Sequence, residues 1–102
     1  KNNQSLVFKV SPKSHSILFT GDIEKETESI LTKSNSINLK SSILKVPHHG
    51  SQTSTTDSFL QAVSPKHAII SSGQQNRYNH PHQDILFKLK TMFLVIRIKK
   101  LY

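Results

Sequence analysis

Two short blocks in this sequence hold residues whose types and spacing could do chemistry. The first is Thr20-Gly21-Asp22 and the second is Pro47-His48-His49-Gly50-Ser51. A Gly-Asp pair directly after an apolar run sets a carboxylate at a strand end with little crowding in front of it. That carboxylate can cap a following helix, or serve as a hard oxygen ligand able to bridge two cations. Adjacent histidines after a strand point in different directions, so one can ligate a metal while the other packs or meets substrate. Gly50 lets the backbone pass closely, and Ser51 can hydrogen-bond a ring nitrogen or a phosphate oxygen. A third block, His80-Pro81-His82, spaces two rings by a rigid residue. Arg77 and Tyr78 just upstream suit gripping a phosphate and stacking on a base or sugar. His15 and His67 sit at strand starts and read as structural or exposed.

The chain has no cysteine. Disulfide partners, thiolate zinc sites and cysteine nucleophiles are excluded, and any metal falls to His, Asp and Glu. Neither Gly50-Ser51 nor Ser71-Ser72-Gly73 forms a G-x-S-x-G elbow. The three glycines are too dispersed for a phosphate-cradling loop. What the inventory supports is hydrolysis by metal-activated water, because a bound cation lowers the pKa of its water toward neutrality.

The elements that must position these residues are legible from apolar runs and breakers. Leu6–Val10 and His15–Thr20 read as strands joined by a Ser-Pro-Lys-Ser turn. Ile23 to Leu31 suits a helix, with Ile23, Thr27, Ile30 and Leu31 inward, Glu24, Lys25 and Glu28 outward, and Asp22 as a possible cap. Ser42–Val46 is a third strand, stopped by Pro47. A helix over Asp57–Val63, a strand over His67–Ser71, a helix over about Gln83–Lys90 and a strand over Phe93–Ile98 complete the order ββαβαβαβ. Alternating strands and helices after a hairpin predict an α/β domain with helices layered on a sheet. Loops at strand C-terminal ends collect the chemistry of such sheets. Asp22, His48/His49 and His80/His82 all lie in segments leaving strand ends.

Composition bounds the rest. A length of 102 residues is one small domain or part of a larger one. With 34% hydrophobic residues in distinct runs, a packed core is expected but a thin one. The net charge of +8 suits polyanions such as DNA, although a Lys-rich composition alone would give the same balance. Asp22, Glu24, Glu26 and Glu28 crowd one stretch, leaving the remainder strongly basic. No run reaches the roughly 20 apolar residues that span a bilayer, so a membrane anchor would lie outside this chain.

Four blocks in order resemble a known family: Asn3-x-Ser5-Leu6-Val7-Phe8-Lys9-Val10, Ile17-Leu18-Phe19-Thr20-Gly21-Asp22-Ile23-Glu24, Leu44-Lys45-Val46-Pro47-His48-His49-Gly50-Ser51 and Asn76-Arg77-Tyr78-Asn79-His80-Pro81-His82. Together they are similar to the C-terminal metallo-β-lactamase-like domain of the bacterial DNA-internalisation competence proteins. The resemblance implies the C-terminal part of an αββα sandwich, whose sheet edges hold one or two divalent ions, zinc or manganese. It implies Asp22 as a metal ligand, and His48 or His49 as another. His48 is preferred because it leaves the strand first, with His49, His80 and His82 assigned to catalysis. Ser51, Arg77 and Tyr78 would contact substrate. DNA is the implied partner, within a larger membrane protein, on its extracytoplasmic side.

The superfamily's main ligand loop, His-x-His-x-Asp-His or a variant, does not occur here, and Phe93 to Tyr102 is apolar and basic where relatives carry Gly and Asp. Two ligands are too few for a tight site, so this chain alone is expected to bind metal weakly and to lack activity. A non-catalytic DNA-binding module and an inactive remnant are the alternative readings.

Overall fold

The computed structural model describes residues 6–11, 15–73 and 81–100. Five strands and three helices follow the expected order: β1 Phe8–Val10, β2 Ile17–Phe19, α1 Lys25–Lys33, β3 Ile43–Lys45, α2 Asp57–Val63, β4 His67–Gly73, α3 Gln83–Met92 and β5 Leu94–Lys100. A single tight turn over Pro47–Gly50 follows β3.

The strands form one sheet in chain order, β1 to β5. β1 and β2 are the expected antiparallel hairpin, with Phe8 opposite Phe19 and Val10 opposite Ile17. The later pairings are all parallel: Leu18 sits beside Leu44, Leu44 beside Ala68, and Ala68 beside Val95. Among the described residues each parallel pair is joined by one α-helix. Because such crossovers are right-handed and the order advances one strand at a time, all three helices fall on the same face. On that face Leu18, Leu44, Ala68 and Ile70 meet Phe59, Leu60 and Val63 of α2 and Ile85 and Leu89 of α3 in one buried cluster.

Among the described residues no helix covers the opposite face. Strand alternation places Phe8, Val10, Ile17, Phe19, Ile43, Ile69, Leu94, Ile96 and Ile98 there. Phe8 and Phe19 stack with ring centroids 4.8 Å apart, and Leu94, Ile96 and Ile98 are each about half exposed or more. One sheet with helices on one side and apolar side chains on the other is half of an αββα sandwich. In isolation the folded chain is therefore expected to bind a hydrophobic dye. Joint Leu94→Lys and Ile96→Lys substitution should cut the fluorescence several-fold, and an undiminished signal would place the apolar exposure elsewhere.

The first helix departs from expectation. Ile23 precedes it, in a turn closed from Ile23 N–H to the Thr20 carbonyl at 3.4 Å. Glu24, not Asp22, occupies the cap position and makes no side-chain capping bond. Ile30 faces outward and is 66% exposed, whereas Glu28 is fully buried. The cause is tertiary: the Glu28 carboxylate accepts the backbone N–H groups of Thr55 and Thr56, at 2.5 and 2.8 Å. The second helix has the expected bounds, with the Thr56 hydroxyl accepting from Phe59 N–H as its cap. The last two elements each run two residues further than expected, α3 to Met92 and β5 to Lys100.

Candidate metal centre at the strand ends

Because β2, β3 and β4 are parallel, the segments that leave them emerge at one sheet edge. Gly21, at φ +55°, turns the chain after β2. The Thr20 hydroxyl donates to the Lys45 carbonyl at 2.6 Å, and His48 N–H donates to the Gly21 carbonyl at 2.8 Å. These two bonds tie the Thr-Gly-Asp block to the histidine block.

His48 and His49 both adopt left-handed backbone conformations, at φ +53° and +54°. Two consecutive non-glycine residues in that region cost roughly 1–2 kcal/mol each. Strain of this kind persists where the surroundings over-determine it, and it gathers at functional sites. Here the His48 carbonyl accepts Ser51 N–H at 2.9 Å, and the His49 ring is fixed to β4.

The ring of His49 defines the site's chemistry. Its Nδ1 lies 2.6 Å from the Ser71 carbonyl oxygen, which can only accept, so Nδ1 carries the proton. In the neutral ring Nε2 then holds the lone pair, and it lies 3.7 Å from Oδ1 of Asp22. An imidazole nitrogen and a carboxylate oxygen face each other across a space suited to a cation. A carbonyl holding the distal N–H is the usual support of a metal-binding imidazole.

His48 turns the other way. Its Nδ1 lies 3.5 Å from Oε2 of Glu24 and 3.4 Å from the Thr53 hydroxyl oxygen. The sequence preference for His48 as the partner of Asp22 thus differs from the geometry, in which the left-handed turn brings His49 to Asp22 and His48 to Glu24. Ser51, expected at substrate, is buried, and its hydroxyl lies 2.9 Å from that of Thr53 while accepting Thr53 N–H at 3.2 Å. Glu24, Thr53 and the Ser71 carbonyl are the site's unforeseen members. Glu24 gave a faint signal, standing two residues after Asp22, but the other two reach the site only through the fold.

Pro81 and His82 return to the same edge. His82 N–H donates to the Gly50 carbonyl at 2.9 Å, and a Cβ on Gly50 would lie 2.5 Å from the Cβ of Pro81. His82 caps α3, its Nδ1 accepting Asp84 N–H at 3.1 Å. Nδ1 is therefore unprotonated and neutral His82 carries its proton on Nε2, the tautomer opposite to that of His49. His80, Arg77 and Tyr78 lie outside the described residues.

Among the described residues no group of three or more His, Cys, Asp or Glu is placed to hold a metal ion. The donor types of Asp22 and His49, one carboxylate oxygen and one imidazole nitrogen, fit zinc or manganese. Their number falls short of the three or four protein ligands of a tight site.

The fold and this edge define a metallo-β-lactamase-type domain. The model of the metallo-beta-lactamase superfamily matches residues 1–74, and the chain belongs to that superfamily. It is 49% identical over 86 residues to the ComE operon protein 3 of Bacillus subtilis (strain 168), a match covering 84% of this chain and 11% of that protein. It is 40% identical over 84 residues to the competence protein ComA of Neisseria gonorrhoeae, covering 82% of this chain and 12% of the relative. Recombination protein 2 of Haemophilus influenzae is 40% identical over 88 residues, with 86% and 11% covered. The chain thus spans 11–12% of the length of these relatives and is related to competence proteins.

Proposed function

We propose that this chain is part of a metal-dependent hydrolase domain of a DNA-uptake protein, acting on phosphodiesters of DNA. The observation that carries this reading is the opposition of Asp22 and His49, with the His49 proton held on the far nitrogen by β4. Asp22 and His49 are the protein ligands this chain supplies to one or two zinc or manganese ions. When bound, such an ion supplies an activated water near neutral pH and stabilises charge on a phosphoryl oxygen.

The chain's own residues have separable tasks. Neutral His82, with its proton on Nε2, is suited to donate a hydrogen bond to a phosphate oxygen. His48 lines the Glu24 side of the edge, and His80, Arg77 and Tyr78 in the segment after β4 contribute to catalysis and to holding the phosphate and base. Ser51 supports Thr53 beneath that edge. The charge of +8 favours a polyanionic substrate. No helix among the described residues is long and apolar enough to cross a membrane. Membrane attachment, and placement of the domain on the extracytoplasmic side, would follow from other parts of the protein, as expected of a relative of competence proteins.

The same charge favours a second reading, a non-catalytic module that holds DNA. Asp22→Ala and His49→Ala in the intact protein separate the two. The hydrolase reading expects each to lower metal-stimulated cleavage of DNA by about 100-fold or more, with DNA binding retained. Absent metal-stimulated cleavage in the unsubstituted protein, with intact DNA binding, would leave only the module.

A further inference from the structure

We propose that Glu24, acting with Thr53, is a positioning residue that holds the ring of His48 in the Nδ1–H form, making Nε2 its basic nitrogen. The juxtaposition is of three side chains from separate segments: Glu24 before α1, His48 in the turn after β3, and Thr53 in the loop before α2. Thr53 has one hydroxyl hydrogen, and it goes to Oε2 of Glu24 at 3.0 Å. The Thr53 oxygen can then only accept from other neighbours, which are Ser51 Oγ at 2.9 Å and His48 Nδ1 at 3.4 Å. Glu24 Oε2, at 3.5 Å from the same Nδ1, is also an acceptor. Two acceptors at similar distances flank Nδ1, the arrangement of one proton shared between them. The Thr53 backbone is anchored independently, since its carbonyl accepts Lys25 N–H at 2.9 Å.

The consequence is a matched pair of rings. His49 is held as Nδ1–H by a backbone carbonyl, and His48 as Nδ1–H by a carboxylate and a hydroxyl. Histidine in water prefers the opposite, Nε2–H form, so without these supports His49 would turn a protonated nitrogen toward Asp22 and His48 would lose its basic Nε2. The use of the basic nitrogen rests on the metal-centre reading above, whereas the tautomer itself does not depend on metal.

The test is a long-range proton–nitrogen correlation spectrum of the nitrogen-15-labelled chain at about pH 8, where imidazoles are neutral. The expected result is a pyrrole-type Nδ1 and a pyridine-type Nε2 for His48. Glu24→Ala should shift the tautomer ratio toward Nε2–H by about tenfold or more, the worth of a hydrogen bond to a charged group. Glu24→Gln, whose carbonyl oxygen can stand where Oε2 stands, should keep the Nδ1–H form. His49, held by Ser71, should be unchanged throughout, which a general loosening of the loop would not give.

Glu24 makes no capping bond to α1, and if E24A still fails to fold, E24M, which keeps the side-chain stem, carries the same test. His48 found as Nε2–H in the unsubstituted chain, or unchanged when the carboxylate is removed, would overturn the proposal. Adding zinc to the same samples separates the two readings. A His49 resonance indifferent to zinc, with the His48 tautomer as expected, would overturn the metal centre and leave the role of Glu24 standing.

Discussion

Glu28→Ala is expected to destabilise the chain by about 3–5 kcal/mol, a large share of its stability. The fully buried Glu28 carboxylate is the acceptor for the N–H groups of Thr55 and Thr56. Removing it leaves the buried Thr55 N–H unpaired, at about 1–3 kcal/mol, and the part-buried Thr56 N–H at less, together with the space vacated by the side chain. A domain of this size has only roughly 5–15 kcal/mol to lose. The segment concerned is already strained, with Thr55 at φ +67°. It also starts α2, which supplies Phe59, Leu60 and Val63 to the core. Glu28→Gln should cost less, since its carbonyl oxygen can accept one of the two N–H groups while its amide opposes the other. Urea titration followed by circular dichroism measures both. An E28A midpoint within the equivalent of about 1 kcal/mol of the unsubstituted chain would show that the carboxylate does not hold the loop.

Gly50→Ala is expected to be nearly as damaging, and its effect should fall on the site. A new Cβ would stand 2.5 Å from Cβ and 3.0 Å from Cα of Pro81, and Gly50 has φ +85°. Neither neighbour is the flexible tip of a side chain, so the strand-end turn and the Pro81-His82 segment must separate. The backbone conformation alone costs about 1–2 kcal/mol for a residue with a Cβ, and the forced contact adds to it. The bond from His82 N–H to the Gly50 carbonyl should be lost with the contact. Denaturant midpoints and amide exchange at His82 would report this. A G50A chain of unchanged stability, with His82 still protected, would contradict the close packing of these loops.

Sequence and structure agree where local signals suffice. The breaker Ser64-Pro65 ends α2 where expected, β3 ends at Lys45, one residue short of the expected Val46, and β-branched runs mark the strands. The strand-end logic also holds, since Asp22 and the histidine pair share one edge of the sheet. What was not legible depends on contacts between distant residues. Glu28 looks like a surface acid until the loop at Thr55 and Thr56 folds over it. Ile23 looks like the first inward residue of α1, but it belongs to the turn. The two histidines were distinguishable only by order along the chain, and order favoured His48. The left-handed conformation at both positions reverses the chain and brings His49 to Asp22, and no glycine at positions 48 or 49 announces it. The supports of the two rings, Glu24 with Thr53 and the Ser71 carbonyl, are assembled by the pairing of β2, β3 and β4.

The central claim is that Asp22 and His49 form the part of a divalent metal centre that this chain provides. Isothermal titration of the chain with zinc, and with manganese, tests it most directly. Two protein donors predict weak binding, with a dissociation constant of about a micromolar or above. It should be lost on Asp22→Ala or His49→Ala and weakened less by His48→Ala. Sub-micromolar binding, or binding that survives both Asp22→Ala and His49→Ala, would contradict the account.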